Sequence, residues 1–191
     1  MAISTVSICN RALDLLGADP IISLEDGSKA ANLCQRNFEP SADSVLRLYP
    51  WNAALRRARL PALNEAPGWG YLYQYQLPQG PEPAFCLRLL EVDNGTDYRV
   101  EGRRILADYA APLDILYIGR IVDVASYDSL LAEAVAAKLA VHLAGNLTES
   151  GSRIEAARDY LRTVLAEAKA VDAQEGGASD LVIDAWLAAR G

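Results

Sequence analysis

Apolar residues recur along this chain with two different periods, and the switch between them divides it. Near the start, Ile8, Ala12, Leu15 and Leu16 fall at i, i+4, i+7 and i+8, one face of a 3.6-residue repeat. Ser4 or Thr5 can cap this helix, and Gly17 supplies its stop signal. The link ADPIISLEDG follows, and Ser28 then opens a second helical stretch through Ala30, Leu33 and Cys34. Pro40 predicts a kink or restart there, because proline removes a backbone donor and clashes with the preceding turn. Phe38, Ala42, Val45 and Tyr49 carry the stripe onward until Pro50, whose predecessor is biased away from helical angles.

From about residue 53 the period becomes two. YLYQYQLP (71–78), CLRLLEV (86–92), DYRV (97–100), RRILAD (103–108) and LDILYIGR (113–120) are apolar or alternating runs bounded by turn residues. Asn94-Gly95 is a turn pair, and Glu101-Gly102 predicts a tight hairpin. No helical pattern separates these strands, so an antiparallel arrangement is expected. Helical spacing returns at residue 127. Asp128 can cap a helix carrying Leu131, Val135 and Leu139 among many alanines, with Gly145 as its expected end. Ser152 and Glu155 then read as a capping box for a last helix striped by Ile154, Ala157, Leu161, Val164, Ala168 and Val171. The expected fold is α+β: a four-helix bundle of two N-terminal and two C-terminal helices with an inserted antiparallel β domain. The bundle would comprise 1–51 and 123–175, the β domain 52–122, and a C-terminal arm 176–191 released by Gly176-Gly177.

Composition narrows the function classes. The 191 residues are 51% hydrophobic and 23% charged, values of a globular chain, with a formal net charge of −7. Residues 1–120 hold fourteen acids and twelve bases, and residues 121–191 eleven acids and six bases. An acidic total argues against general DNA binding, which needs basic surface to displace counterions. No run is expected to reach bilayer-spanning length and no membrane anchor is expected. The N-terminus lacks a basic n-region and a cleavage site, and reads as mature structure. Cys9, Cys34 and Cys86 are odd in number and widely spaced, which suits buried thiols in a reducing compartment. With one histidine, His142, no zinc-ligand spacing exists, and no metal or cofactor is expected.

Candidate chemistry is sparse. No nucleophile elbow or phosphate-binding loop is present, and His142 on an alanine-rich helix is a weak general base. Tyr71, Tyr73 and Tyr75 form a period-two stripe, expected to serve cross-strand packing or a protein interface rather than base stacking. Arg56, Arg57 and Arg59, with Arg103 and Arg104, could bind phosphate, but ion pairs within or between subunits are the favoured reading. On the outgoing strand Arg56 takes one face, and Arg57 and Arg59 the other. Leu181, Ile183 and Trp186 on the arm could fold back or dock on a partner.

The order of motifs resembles the tail tubular protein A adaptors of short-tailed bacteriophages. The likeness runs from about Ile8 to about Ala173. It rests on ICNRALDLLG, PIISLEDGSKAANLC, LRLYPWNAALRRARL, GWGYLYQYQLP, CLRLLEV, YRVEGRRIL, LDILYIGRIVD and LAEAVAAKLAVHLAGNLTES. The Pro-Trp-Asn step before an Ala-Arg-rich strand is its most specific element, although many relatives carry an aromatic where Ala53 stands. The resemblance implies a non-enzymatic virion protein made in the host cytoplasm and placed at the portal vertex. It implies a ring of twelve copies joining the portal protein to the tail nozzle or fibre proteins, with genomic DNA passing through the channel without sequence-specific binding. Trp51 would then anchor the crossing from bundle to β domain, and Arg57 and Arg59 would pair between subunits. Two other readings compete. One is a tail-associated glycan-degrading enzyme using carboxylates such as Glu101 and Asp108, and the other is a nucleic-acid-binding module built on the arginines.

Overall fold

The computed structural model describes residues 3–95, 97–148 and 150–175; the arm, with Leu181, Ile183 and Trp186, lies outside them. The chain is α+β, with four helices and two small antiparallel sheets among the described residues. It divides into two compact units, the described parts of Met1–Ala53 with Asp123–Gly191, and Ala54–Val122.

In the helical unit, α1 (Thr5–Leu16) starts under a reciprocal cap. Ser4 Oγ accepts from the Ser7 amide, and Ser7 Oγ accepts from the Ser4 amide. It stops at Gly17, whose φ of 63° suits glycine and directs its amide back to the Leu13 and Asp14 carbonyls. Helix α2 (Lys29–Leu48) is capped by Ser28 and ends where Tyr49 turns extended before Pro50. Pro40 does not restart it: the helix runs through unbroken. The residue whose carbonyl proline cannot serve is Arg36, and both are exposed, so water can take the place of the missing donor.

Helix α3 (Ser129–Leu147) begins under Asp128, whose carboxylate accepts from the Leu130 and Leu131 amides. It continues past Gly145 and is closed by the Thr148 amide on the Ala144 carbonyl at 3.0 Å. Helix α4 (Gly151–Glu175) starts earlier than the expected capping box. Ser150 Oγ, rather than Ser152, accepts from the Arg153 amide, while Glu155 pairs with Arg158. Contacts with α1, α2 and α4 all converge on α3. Six of its ten buried residues are alanines, which lets those helices come close. A helix surrounded in this way needs no polar face. That position corrects the expectation about apolar runs, because Ser129–Leu147 has the length and hydropathy (1.3) of a spanning segment, with half of that window buried inside the protein. The core beneath it joins Cys9, Leu13, Leu16, Cys34, Leu139 and Leu143.

In the second unit, strands β1 (Leu55–Leu60), β6 (Leu113–Gly119) and β3 (Cys86–Val92) form one sheet in the order β1-β6-β3. Strands β2 (Tyr73–Gln76), β5 (Arg104–Ala107) and β4 (Tyr98–Glu101) form the other, in the order β2-β5-β4. All pairs are antiparallel. The β4–β5 hairpin turns through Gly102 at φ 58°. Both sheets contribute to one cluster that includes Leu60, Tyr75, Ile105, Leu113, Ile115 and Tyr117. Two register shifts interrupt β3, between Cys86 and Arg88 and between Leu89 and Glu91.

Candidate functional site

The second shift decides what the outer face of the β1-β6-β3 sheet carries. Leu89 pairs with Tyr117 and lies against the core. Strict alternation would put Glu91 on the same side. The extra residue, Leu90, instead sets Glu91 opposite Leu116 and returns Val92 to the core beside Ile115. On β1, Leu116 also faces Arg57, and Asp114 faces Arg59. One row across the sheet therefore reads Arg57, Leu116, Glu91, and the next begins Arg59, Asp114. These rows line a groove of about 500 Å³ that Asp93 also borders. Its β1 wall is basic and its β3 wall acidic.

Arg59 and Asp114 meet through two parallel hydrogen bonds of 2.7 and 2.8 Å. The pairing raises the Arg59 pKa and holds the Asp114 carboxyl below its usual range, in each case chiefly through this hydrogen bond. Arg59 thus has a partner within its own chain, the within-subunit alternative of the expected ion pairs. Arg57 and Glu91 are exposed, and the side chain of neither has a hydrogen bond or ion pair with another described residue.

The other expected site residues scatter. Arg56 turns toward the core side, donates to the Leu55 carbonyl at 2.8 Å, and packs its stem where a Cβ on Gly119 would stand. Arg103 stacks on Phe85 at 4.1 Å and donates to the Cys86 and Pro78 carbonyls, so it braces the chain entering β3 rather than forming part of a phosphate patch. Arg104 donates to Gln74 Oε1 at 2.9 Å. For the tyrosine stripe the packing alternative holds at two of its three positions. Tyr71 precedes β2, while Tyr73 and Tyr75 belong to the core cluster. Tyr75 is wholly buried and its hydroxyl donates to the Tyr109 carbonyl, so the period-two pattern points inward. Trp51 is 1% exposed, donates from Nε1 to the Val45 carbonyl at 3.0 Å, and meets Tyr49 edge-on, which removes its ring as a surface contact.

Three groupings had no signal in the periodicity. Ser41 Oγ lies 2.8 Å from His142 Nδ1, a nucleophile-base distance. Its single proton, however, is directed to the Asn37 carbonyl at 2.6 Å. His142 Nδ1 must then donate to Ser41, which leaves no free base at that nitrogen. Burial and the nearby Lys138 lower the His142 pKa and favour this neutral ring. Second, Arg11, Glu133 and Tyr160 tie α1, α3 and α4 together, with Glu133 Oε1 accepting from both partners at 2.7 and 2.6 Å. Third, Asp172 is buried where the stripe had placed Val171. Its carboxylate accepts from the Asn52 amide at 3.1 Å, and its carbonyl accepts from Asn52 Nδ2 at 2.7 Å. Burial raises its pKa despite that hydrogen bond.

Glu101 and Asp108 do not converge. Glu101 faces Arg104 across the hairpin, and Asp108 lies just past the far end of β5, roughly 13 Å away. Asp108 is also committed to the Leu72 amide at 2.8 Å. A glycosidase pair needs about 5–9.5 Å. Cys9, Cys34 and Cys86 are free and buried; a hydrogen bond between the Cys9 and Cys34 side chains, together with burial, pushes the Cys9 pKa well above its ordinary range. Among the described residues, no three His, Cys, Asp or Glu side chains gather as a metal site. No protein-family model matches the chain, and no curated protein matches its sequence.

Proposed function

We propose that this chain is a structural adaptor of a bacteriophage virion, of the tail tubular protein A kind. In this reading the four helices form a bundle and twelve copies close into a ring. The ring sits between the portal protein and the tail nozzle and continues the channel through which genomic DNA passes. The protein would be made in the host cytoplasm and finish at the portal vertex. It would need no cofactor and catalyse no reaction.

One observation supports this most. The Pro50-Trp51-Asn52 step, the most specific part of the resemblance, falls directly before the division between units at Ala53 and Ala54. A helical pair leading into a β insert at that tripeptide, and a second helical pair after it, is the order the resemblance implies. The competing readings have less support: Glu101 and Asp108 do not converge, and of the arginines named for nucleic-acid binding Arg59, Arg103 and Arg104 are engaged within the chain, while Arg57 stays exposed.

Electron microscopy of the purified chain, alone and mixed with the portal protein, tests the reading. A closed twelvefold ring seated on the portal is expected. A chain that stays monomeric and does not bind the portal would overturn it.

A further inference from the structure

From the two charged walls of the β1-β6-β3 sheet we infer that neighbouring copies meet head to tail, Arg57 of one copy pairing with Glu91 of the next. The pairing rests on the ring reading and names the surface that would build it.

Strands β1 and β3 both run antiparallel to β6, so they are parallel to each other and are the outer strands of the sheet. Arg57 and Glu91 share a row with Leu116 between them. Two strand spacings separate them, about 10 Å, and they make no ion pair within the chain. A second copy displaced sideways in the plane of the sheet keeps the rows in step. Its Glu91 then lies about one spacing, roughly 5 Å, from Arg57 of the first copy. Both side chains are exposed, and neither has a partner among the described residues. The next row adds no conflict, because Arg59 is already neutralised by Asp114.

The two ends of a row differ, so the contact is heterologous. A patch of one kind meets a patch of another, and repetition closes a ring or extends a filament. The bulge at Leu90 is what places Glu91 on this face. Without it the carboxylate would point into the core.

Charge reversal tests the pairing on the full chain, with assembly followed by analytical ultracentrifugation and microscopy. Arg57→Glu and Glu91→Arg are each expected to weaken association by at least roughly tenfold. Each should leave the thermal unfolding of the free chain unchanged, since both side chains are exposed. The double variant R57E/E91R should assemble again, and so should an equimolar mixture of the two single variants. Doping R57E into the unaltered protein should open closed rings into arcs, because each reversed copy spoils one junction. Rings that form regardless of the reversals, or a double variant that stays dissociated, would overturn the pairing and leave the ring reading standing. If the unaltered chain forms no ring on the portal, the ring reading falls and takes the ground for this pairing with it. Should a reversal impair folding, Arg57→Gln and Glu91→Gln carry the same comparison, with weakening expected and unchanged assembly counting against it.

Discussion

Trp51 is the residue on which the helical unit's end depends most. Its ring is buried, meets Tyr49 edge-on and donates to the Val45 carbonyl. Trp51→Ala should lower stability by about 3–5 kcal/mol, the range for emptying a large aromatic site. Trp51→Phe should lose much less, because the packing survives and only the indole hydrogen bond goes. Urea unfolding separates the two, and equal losses would show that the indole hydrogen bond outweighs the packing. Asp172 makes a different prediction. Its folded pKa lies above the ordinary value of 3.8 because burial disfavours the charge. Between the two values the folded chain holds more protons than the unfolded one, so stability falls as pH rises through that window. Asp172→Asn should flatten that fall while still offering an oxygen to the Asn52 amide. A pH profile that keeps its slope in this variant would mean another group is responsible.

Among the elements, α2 offers the sharpest test. Proline inside a helix costs about 3 kcal/mol relative to alanine, yet α2 continues through Pro40 on an exposed face. Pro40→Ala restores a donor facing the Arg36 carbonyl and should raise stability by roughly 1–3 kcal/mol. A loss of stability would mean that Pro40 shapes α2 in a way its neighbours need. The same helix shows how much of the fold was legible. Ser4, Ser28, Asp128, Gly17 and Tyr49-Pro50 mark element ends through interactions within a few residues, and such signals survive in sequence. Pro40 and Gly145 misled because packing against neighbouring helices outweighs a local penalty. The bulge at Leu90 was invisible because a one-residue slip leaves composition unchanged while moving Glu91 to the other face. Ser41 with His142 and Asn52 with Asp172 join positions 101 and 120 residues apart, beyond any periodicity. The arginine run was visible as a candidate, but only the register showed that Arg59 is engaged and Arg57 is not.

At the scale of the whole molecule, the β unit has a core drawn from its own strands and the loops beside them. Residues 54–122 expressed alone should therefore fold, though weakly, since so short a chain buries a limited share of its surface. Circular dichroism with a β signature and one cooperative transition is the expected outcome. A coil spectrum would mean the strands need the helical unit to form. The arrangement also explains why the sequence could be read as two periodicities: the helical unit takes both ends of the chain, and the two-residue period is confined to the segment between.

The placement of tryptophan gives the two units separate optical labels. Trp51 sits in a dry site of the helical unit, whereas Trp69 of the β unit is 87% exposed. With Trp186 replaced by phenylalanine, blue-shifted emission would come from Trp51 and red-shifted, iodide-quenchable emission from Trp69. Melting of either unit, or the covering of Trp69 by another molecule, could then be followed by colour in an unlabelled chain.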